Sequence, residues 1–141
     1  HASPHRAAEI DGISINPERL ILPDIAGPLI VEGAGGLLVP LTRDCLFIDV
    51  FRNWRLPVVL CVRTVLGTIN HSLLSLEALH KRDIPVHGVV FLGEENRDTE
   101  RTIVEMGRVR HLGRFPRLQV LDREHVREAF ARHFNVQDFS L

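Results

Sequence analysis

The chain reads as an α/β protein with a doubly wound, mainly parallel sheet and helices on both faces. Apolar runs of strand length stand at residues 29–32, 58–62, 86–92 and 112–116. They are too continuously apolar for a sheet with one wet face and suit strands covered on both sides. Between the later runs lie stretches whose apolar residues recur three and four apart, the spacing of a helix that buries one side. Those crossovers are long enough to bring each strand back parallel to the one before. A sheet this small for its class reads as incomplete at the N-terminus.

The elements follow in order. Ser3 with Pro4 predicts a helix start, running through Arg6, Ala7, Ala8, Glu9 and Ile10 to Gly12. Asn16-Pro17-Glu18-Arg19-Leu20 predicts a cap and a short helix. Pro23 and Pro28 bracket a loop before Leu29-Ile30-Val31-Glu32, a strand that ends in Gly33-Ala34-Gly35-Gly36. Leu37-Leu38-Val39-Pro40-Leu41 is extended, and Pro40 puts it in a loop or at a sheet edge. Asp44 is placed to cap a helix with a stripe of Leu46, Phe47, Val50, Phe51 and Trp54, read as core. Pro57 introduces the second strand, Val58-Val59-Leu60-Cys61-Val62. A helix over residues 68–82 carries Ile69, Leu73, Leu76 and Leu79 on one face. The third strand is Val86-His87-Gly88-Val89-Val90-Phe91-Leu92, ending at Gly93. A polar loop leads to a helix through Ile103 and Met106 to Gly107. Leu112-Gly113-Arg114-Phe115-Pro116 is the fourth strand, and Asp122 caps a last helix with Val126, Phe130 and Phe134.

Composition narrows the classes. The 141 residues suit one domain, and 45% of them are apolar with 25% charged, as in a folded globular chain. A net charge of −1 gives no reason to expect nucleic acid or a membrane surface. The eight histidines, His1, His5, His71, His80, His87, His111, His125 and His133, are scattered without metal-site spacing. Cys45 falls in a helical pattern and Cys61 in a strand pattern, and the reading is two buried, reduced thiols. No signal peptide and no apolar run long enough to cross a membrane is visible, so the expected location is cytoplasmic.

The chemistry gathers at strand ends. In open α/β sheets ligands sit outside the carboxyl ends of the strands. Glu32 is a carboxylate at such an end, above a glycine-rich backbone that lets a ligand come close. That combination suits a hard cation such as Mg²⁺ and the phosphates it carries. Gly67-Thr68-Ile69-Asn70-His71 opens a helix after the next strand, where free N–H groups favour a carboxylate or phosphate. The plainer alternative is that Thr68 and Asn70 only cap that helix. A phosphate cradle of the form G-x-x-x-x-G-K-[ST] is missing, and Lys81, the only lysine, stands late in a helix. No Ser–His–Asp or Cys–His set has a nucleophile-elbow setting.

Val31-Glu32-Gly33-Ala34-Gly35-Gly36-Leu37 followed by Val39-Pro40-Leu41 resembles the V-E-G-A-G-G…P-L segment of dethiobiotin synthetases. Gly67-Thr68-Ile69-Asn70-His71 is similar to their G-x-I-N-H motif. Ser3-Pro4-His5 resembles their S-P-H, and Gly113-Arg114-Phe115-Pro116-Arg117-Leu118 their G-x-x-P-x-L. The matches occur in order and cover nearly the whole chain. The resemblance implies a P-loop NTPase-like fold. It also implies that this chain is the C-terminal part of such an enzyme, with the P-loop, a lysine-bearing segment and a metal-binding aspartate expected before His1, on the same or a separate polypeptide. The implied reaction is ATP-dependent carboxylation of 7,8-diaminononanoate by CO₂ and closure to dethiobiotin, in a homodimer. Glu32 is then a Mg²⁺ ligand. Glu32, Gly33, Ala34 and Gly35 line nucleotide phosphates, while Leu92, Gly93, Pro116, Arg117 and Leu118 lie against the nucleoside. Gly67, Thr68, Ile69 and Asn70 receive the substrate carboxylate. No catalytic residue is expected within this chain. Leu92-Gly93 stands where family members often carry Asn-Asp to read adenine, with Asn96 displaced later.

Two rivals remain. A non-catalytic anion-binding or dimerisation module would keep the fold without ATP chemistry. A P-loop amidase or synthase like those of cobyrinate biosynthesis shares a glycine-rich strand end, but the G-x-I-N-H match favours the synthetase.

Overall fold

The computed structural model describes residues 2–140; His1 and Leu141 lie outside the described residues. Two compact units emerge. One takes in the residues up to Leu56 with Arg82–Ile84, the other Pro57–Lys81 and the residues from Pro85 onward.

The first unit opens with helix α1 (Pro4–Asp11). Pro4 stands in the first turn, where a missing N–H costs nothing, and Gly12 closes the helix in the left-handed region at φ 66°. Ser3 is the N-cap residue, but its side chain does not cap; its hydroxyl lies 3.0 Å from His5 Nδ1. Asn16 does cap, its Oδ1 accepting the Glu18 N–H at 2.9 Å before a single 3-10 turn, Pro17–Arg19. Helix α2 (Phe47–Trp54) starts after the expected point, with Leu46 and not Asp44 at its N-cap. The Asp49 carboxylate accepts the Leu46 N–H at 2.9 Å, reaching back from the first turn to the donor that Asp44 was expected to satisfy. Ile48 and Val50, 0% and 3% exposed, set the buried side. Phe47, Phe51 and Trp54 are half-buried and contact one another, with ring centroids 6.0 and 5.6 Å apart.

Residues 29–32 do not form the expected strand. Ile30 is 94% exposed and Leu29 and Val31 are 38% and 37% exposed. No ladder partner flanks them among the described residues. A strand exists through the backbone groups of its neighbour, so apolar composition without a neighbour leaves an irregular segment.

The second unit holds a parallel three-stranded sheet in the order β1 (Val58–Arg63), β2 (Val86–Leu92), β3 (His111–Phe115). Three strands stand where four were predicted, and the mainly parallel α/β architecture is as expected. The crossovers carry α3 (Thr68–His80) and α4 (Arg97–Gly107), and α5 (Arg123–His133) follows β3. Asn96 Oδ1 caps α4 by accepting the Thr99 N–H at 3.1 Å. Asp122 caps α5 in the same way, at 2.9 Å from the His125 N–H. The core is Val62, Val89 and Phe91 from the sheet with Leu76 of α3 and Ile103 of α4. Close packing there leaves no room at Gly88, where a Cβ would stand 2.5 Å from Leu112 Cγ. Met106, read with the α4 stripe, is 67% exposed. The stripe at Ile103 already fills the core, and Gly107 lets Leu76 approach closely.

Neither cysteine is in a disulfide, and they are not buried as expected: Cys45 is half-buried and Cys61 exposed. Cys61 belongs to β1, an edge strand whose side chains alternate between cover and solvent. Burial, with the Asp49 charge as a smaller cause, pushes the Cys45 thiol up. No helix among the described residues is long and apolar enough to cross a membrane.

Candidate functional site

In the second unit the carboxyl ends of all three strands meet. The Thr64 N–H donates to the Leu92 carbonyl at 3.2 Å, and the Gly93 N–H donates to the Phe115 carbonyl at 3.0 Å. Gly93 has φ 126°, and a Cβ there would stand 2.7 Å from Thr64 Oγ1. Glycine is therefore required at the end of β2 both for the turn and for the close approach of the β1 loop. Arg114 Nη1 donates to the Gly93 carbonyl at 3.5 Å, so both backbone groups of Gly93 are engaged within the chain. What Leu92 offers outward is its side chain, 38% exposed, an apolar surface and not a polar reader. Pro116 and Leu118 are half-buried and Arg117 exposed, just past β3.

The start of α3 has the geometry the sequence suggested. Gly67 is the N-cap, in the left-handed region at φ 88°, and no side chain caps the helix. The cap position is thus taken by Gly67 and not by Thr68 or Asn70. The Thr68 N–H turns back to the Val65 carbonyl at 3.2 Å, and the His71 N–H reaches Gly67 at 3.2 Å. The Ile69 and Asn70 N–H groups lie in the first turn between these, where no helical carbonyl precedes them. Thr68 is buried, its hydroxyl 3.4 Å from that of buried Ser72. Asn70 is exposed. A groove of about 250 Å³ adjoins this helix start, lined in part by Cys61, Arg63, Gly67, Thr68, His71 and Ser75. Arg63 and His71 give it positive or hydrogen-bonding character that the sequence reading did not assign. Arg63 could have been suspected from its place at the end of β1. A larger depression, about 520 Å³, runs along α5 beside Leu121, Val126 and Phe130. It is mainly apolar.

In the first unit Glu32 is exposed. Gly33 is packed so tightly beneath the Phe51 ring that a Cβ would collide with it. Gly35 has φ 86°, with Val39 Cγ2 3.1 Å from where a Cβ would be. Gly35 is thus required by its backbone conformation, a side chain at Gly33 would have to displace the Phe51 ring, and Ala34 between them is exposed. No group of three or more His, Cys, Asp or Glu gathers among the described residues, so they build no all-protein metal cage. Mg²⁺ commonly binds through one or two carboxylates, waters and substrate phosphates, and an exposed Glu32 beside bare backbone fits that mode.

A polar cluster unforeseen in the sequence lies behind the end of β2. Glu100, 8% exposed, accepts the Asn96 N–H on Oε1 at 3.2 Å. Arg114 Nε stands 3.4 Å from the same oxygen, and His111 Nε2 lies 3.2 Å from Oε2. Arg114 also approaches Glu95 at 3.7 Å. Hydrogen bonding from Arg97, its charge, and more weakly Arg114 hold the Glu95 carboxyl below its usual range.

The strand ends of the sheet thus lie beside glycine turns and a helix start with no side-chain cap. Residues 1–125 match the family model described as AAA domain, a P-loop NTPase-like family, and the chain belongs to that family. Among individual proteins, the chain is 64% identical over 138 residues to the ATP-dependent dethiobiotin synthetase BioD of Rhodopseudomonas palustris strain BisB5, spanning 98% of this chain and 65% of that protein. It is 59% identical to that of Agrobacterium fabrum, with the same shares covered. It is 55% identical over 139 residues to that of Brucella ovis, covering 99% of this chain and 66% of the relative. The resemblance seen in the motifs is thus matched by relatives along nearly the whole chain, which itself spans slightly less than two thirds of their length.

Proposed function

We propose that this chain is the C-terminal part of an ATP-dependent dethiobiotin synthetase of biotin biosynthesis. The start of α3 carries the reading: a glycine N-cap leaves first-turn N–H groups for an anion, beside relatives that bear this name. In this reading the remaining third of the protein contributes the P-loop and the lysines, in the same or a separate polypeptide. Residues 29–32 then gain the strand neighbour they lack here. The protein is cytoplasmic and acts as a homodimer.

The substrates are 7,8-diaminononanoate, CO₂ and ATP. Gly67, Thr68, Ile69 and Asn70 hold the substrate carboxylate against the helix start, which fixes the diamine at one end. Glu32 holds Mg²⁺, whose role when bound is to neutralise phosphate charge. Gly33 and Gly35 present backbone without side chains and Ala34 adds only a methyl group, so the phosphates can approach closely. Leu92, Pro116 and Leu118 offer apolar surface to the nucleoside, and Gly93 and Arg117 border it. An amine carboxylated by CO₂ gives a carbamate, which attacks the γ-phosphate and displaces ADP; the second amine then attacks the resulting mixed anhydride, closing the ring and releasing phosphate. The chain's contribution is positioning and charge balance, the main sources of rate in phosphoryl transfer.

The test is a product assay on the full-length protein. Expected is ATP-dependent release of phosphate with formation of a compound whose mass is that of the diamine plus CO₂ minus water. Anion binding without ATP turnover would leave a non-catalytic anion-binding module in its place. Within the reading, Asn70→Ala should raise the KM for diaminononanoate about tenfold, as the loss of a hydrogen bond to a charged group does, and leave the KM for ATP near its original value. The opposite pattern would place the helix start on the nucleotide.

A further inference from the structure

We propose that Glu100 and Arg114 are positioning residues for the nucleotide, acting through the segment 93–96 at the end of β2. The inference deepens the synthetase reading and rests on its placement of the nucleoside beside Leu92 and Gly93.

Residues 93–96 form a polar loop with few anchors of their own. Glu94, Glu95 and Asn96 are exposed and only Gly93 is half-buried. Both of its ends are nevertheless pinned. At the first end Arg114 Nη1 donates to the Gly93 carbonyl at 3.5 Å. At the second, the Asn96 N–H donates to Glu100 Oε1 at 3.2 Å, while Asn96 Oδ1 caps α4 through the Thr99 N–H. The two pins are joined, since Arg114 Nε lies 3.4 Å from that same Glu100 oxygen. Arg114 and Glu100 side chains are 21% and 11% exposed, so they sit beneath the loop and not on its solvent face. His111 Nε2, 3.2 Å from Glu100 Oε2, holds the other carboxylate oxygen, and its ring stacks on Phe91 with centroids 5.1 Å apart. A buried pair needs its remaining lone pairs satisfied, and here Asn96, Arg114 and His111 share that task. The planar fork of arginine can address the Gly93 carbonyl and the carboxylate together; the compact ammonium of lysine cannot.

The pair touches no reacting atom. Its effect is to fix where Leu92, Gly93 and Asn96 meet a nucleoside, so loosening it acts on nucleotide binding and spares both the diamine site at α3 and the chemical step. The experiment uses the full-length protein with Glu100→Gln, Arg114→Met and Arg114→Lys. The readouts are the dissociation constant of MgADP by calorimetry, steady-state constants for ATP and for diaminononanoate, and thermal melting. Expected for Glu100→Gln and Arg114→Met is a rise of about tenfold in the ADP dissociation constant and the KM for ATP, the equivalent of roughly 1.4 kcal/mol. The turnover number and the diamine KM should stay within about threefold of the original values. Arg114→Lys, which keeps the charge, should recover part of the loss. Lowered melting with unchanged ADP affinity would show a merely structural pair and overturn the inference. If these variants fail to fold, Glu100→Asp decides: it keeps the charge but shortens the reach to the Asn96 N–H and Arg114, and an unchanged ADP affinity would again overturn the inference. A wild-type protein that binds neither ADP nor ATP would overturn the nucleotide reading and this inference with it.

Discussion

Glu32→Gln in the full-length protein should lower Mg²⁺-dependent turnover about a hundredfold, the loss that follows when one charge-stabilising group is removed from an active site. The fold should be unchanged. Glu32 is exposed, and Gln keeps its shape, so the substitution deletes a charge from the surface and opens no cavity. The loop around it is held by other means: Gly33 lies under Phe51, and Gly35 turns at φ 86° against Val39. Circular dichroism and the melting temperature should therefore match wild type while activity falls. Raising Mg²⁺ should recover part of the activity if the carboxylate is a ligand, because a weakened site fills again by mass action. Unchanged activity at limiting Mg²⁺ would remove Glu32 from the metal. The position of the expected effect is notable, since the residue carries almost nothing of the fold.

How far the chain could be read from its residues depends on what each element needs. The strand at β2 was legible to the residue, Val86–Leu92, because a buried central strand advertises itself as an unbroken apolar run. The helices were legible where cap and periodicity agreed, as at Asp122. The run at residues 29–32 is apolar like the start of β1, yet it forms no strand among the described residues. Composition makes a segment able to pair; only a neighbour makes it a strand. Asp44 misled for a related reason, since the N–H that needed a cap was that of Leu46 and Asp49 supplied it from within the helix. The start of α3 at Gly67 and Thr68 was readable because a glycine turn leading into a helical stripe is a local feature. Glu100 was not, because nothing in its sequence neighbourhood distinguishes it from the exposed acids Glu94, Glu95 and Asp98. Its meaning comes from Asn96, His111 and Arg114, which only the fold brings to it.

Gly113→Ala should destabilise the protein by about 3 kcal/mol, from backbone strain and overpacking together. Gly113 has φ 146°, a conformation that residues with a side chain rarely adopt. A Cβ built there would stand 2.5 Å from Phe134 Cδ1 and 2.6 Å from the His133 carbonyl oxygen. Gly113 and Phe134 form an isolated antiparallel bridge, so the methyl group would enter the place where β3 meets the end of α5. The Phe134 ring has little freedom to retreat, since it stacks on Phe130 with centroids 4.7 Å apart and contacts Phe115 and Phe139. The carbonyl of His133 is backbone and moves only if the end of α5 moves. The two obstacles can be separated by a double substitution. Adding Phe134→Leu to Gly113→Ala removes the ring conflict but leaves the carbonyl, so the pair should be more stable than the sum of the single changes and still less stable than Phe134→Leu alone. Urea unfolding followed by far-ultraviolet circular dichroism reads all four proteins. Gly12→Ala is the control for backbone strain by itself: Gly12 also has positive φ, at 66°, but nothing lies within 4 Å of an added Cβ, and the cost there should be only about 1 kcal/mol. Equal losses at Gly113 and Gly12 would mean that the contact between β3 and α5 is looser than the packing of Phe134 implies.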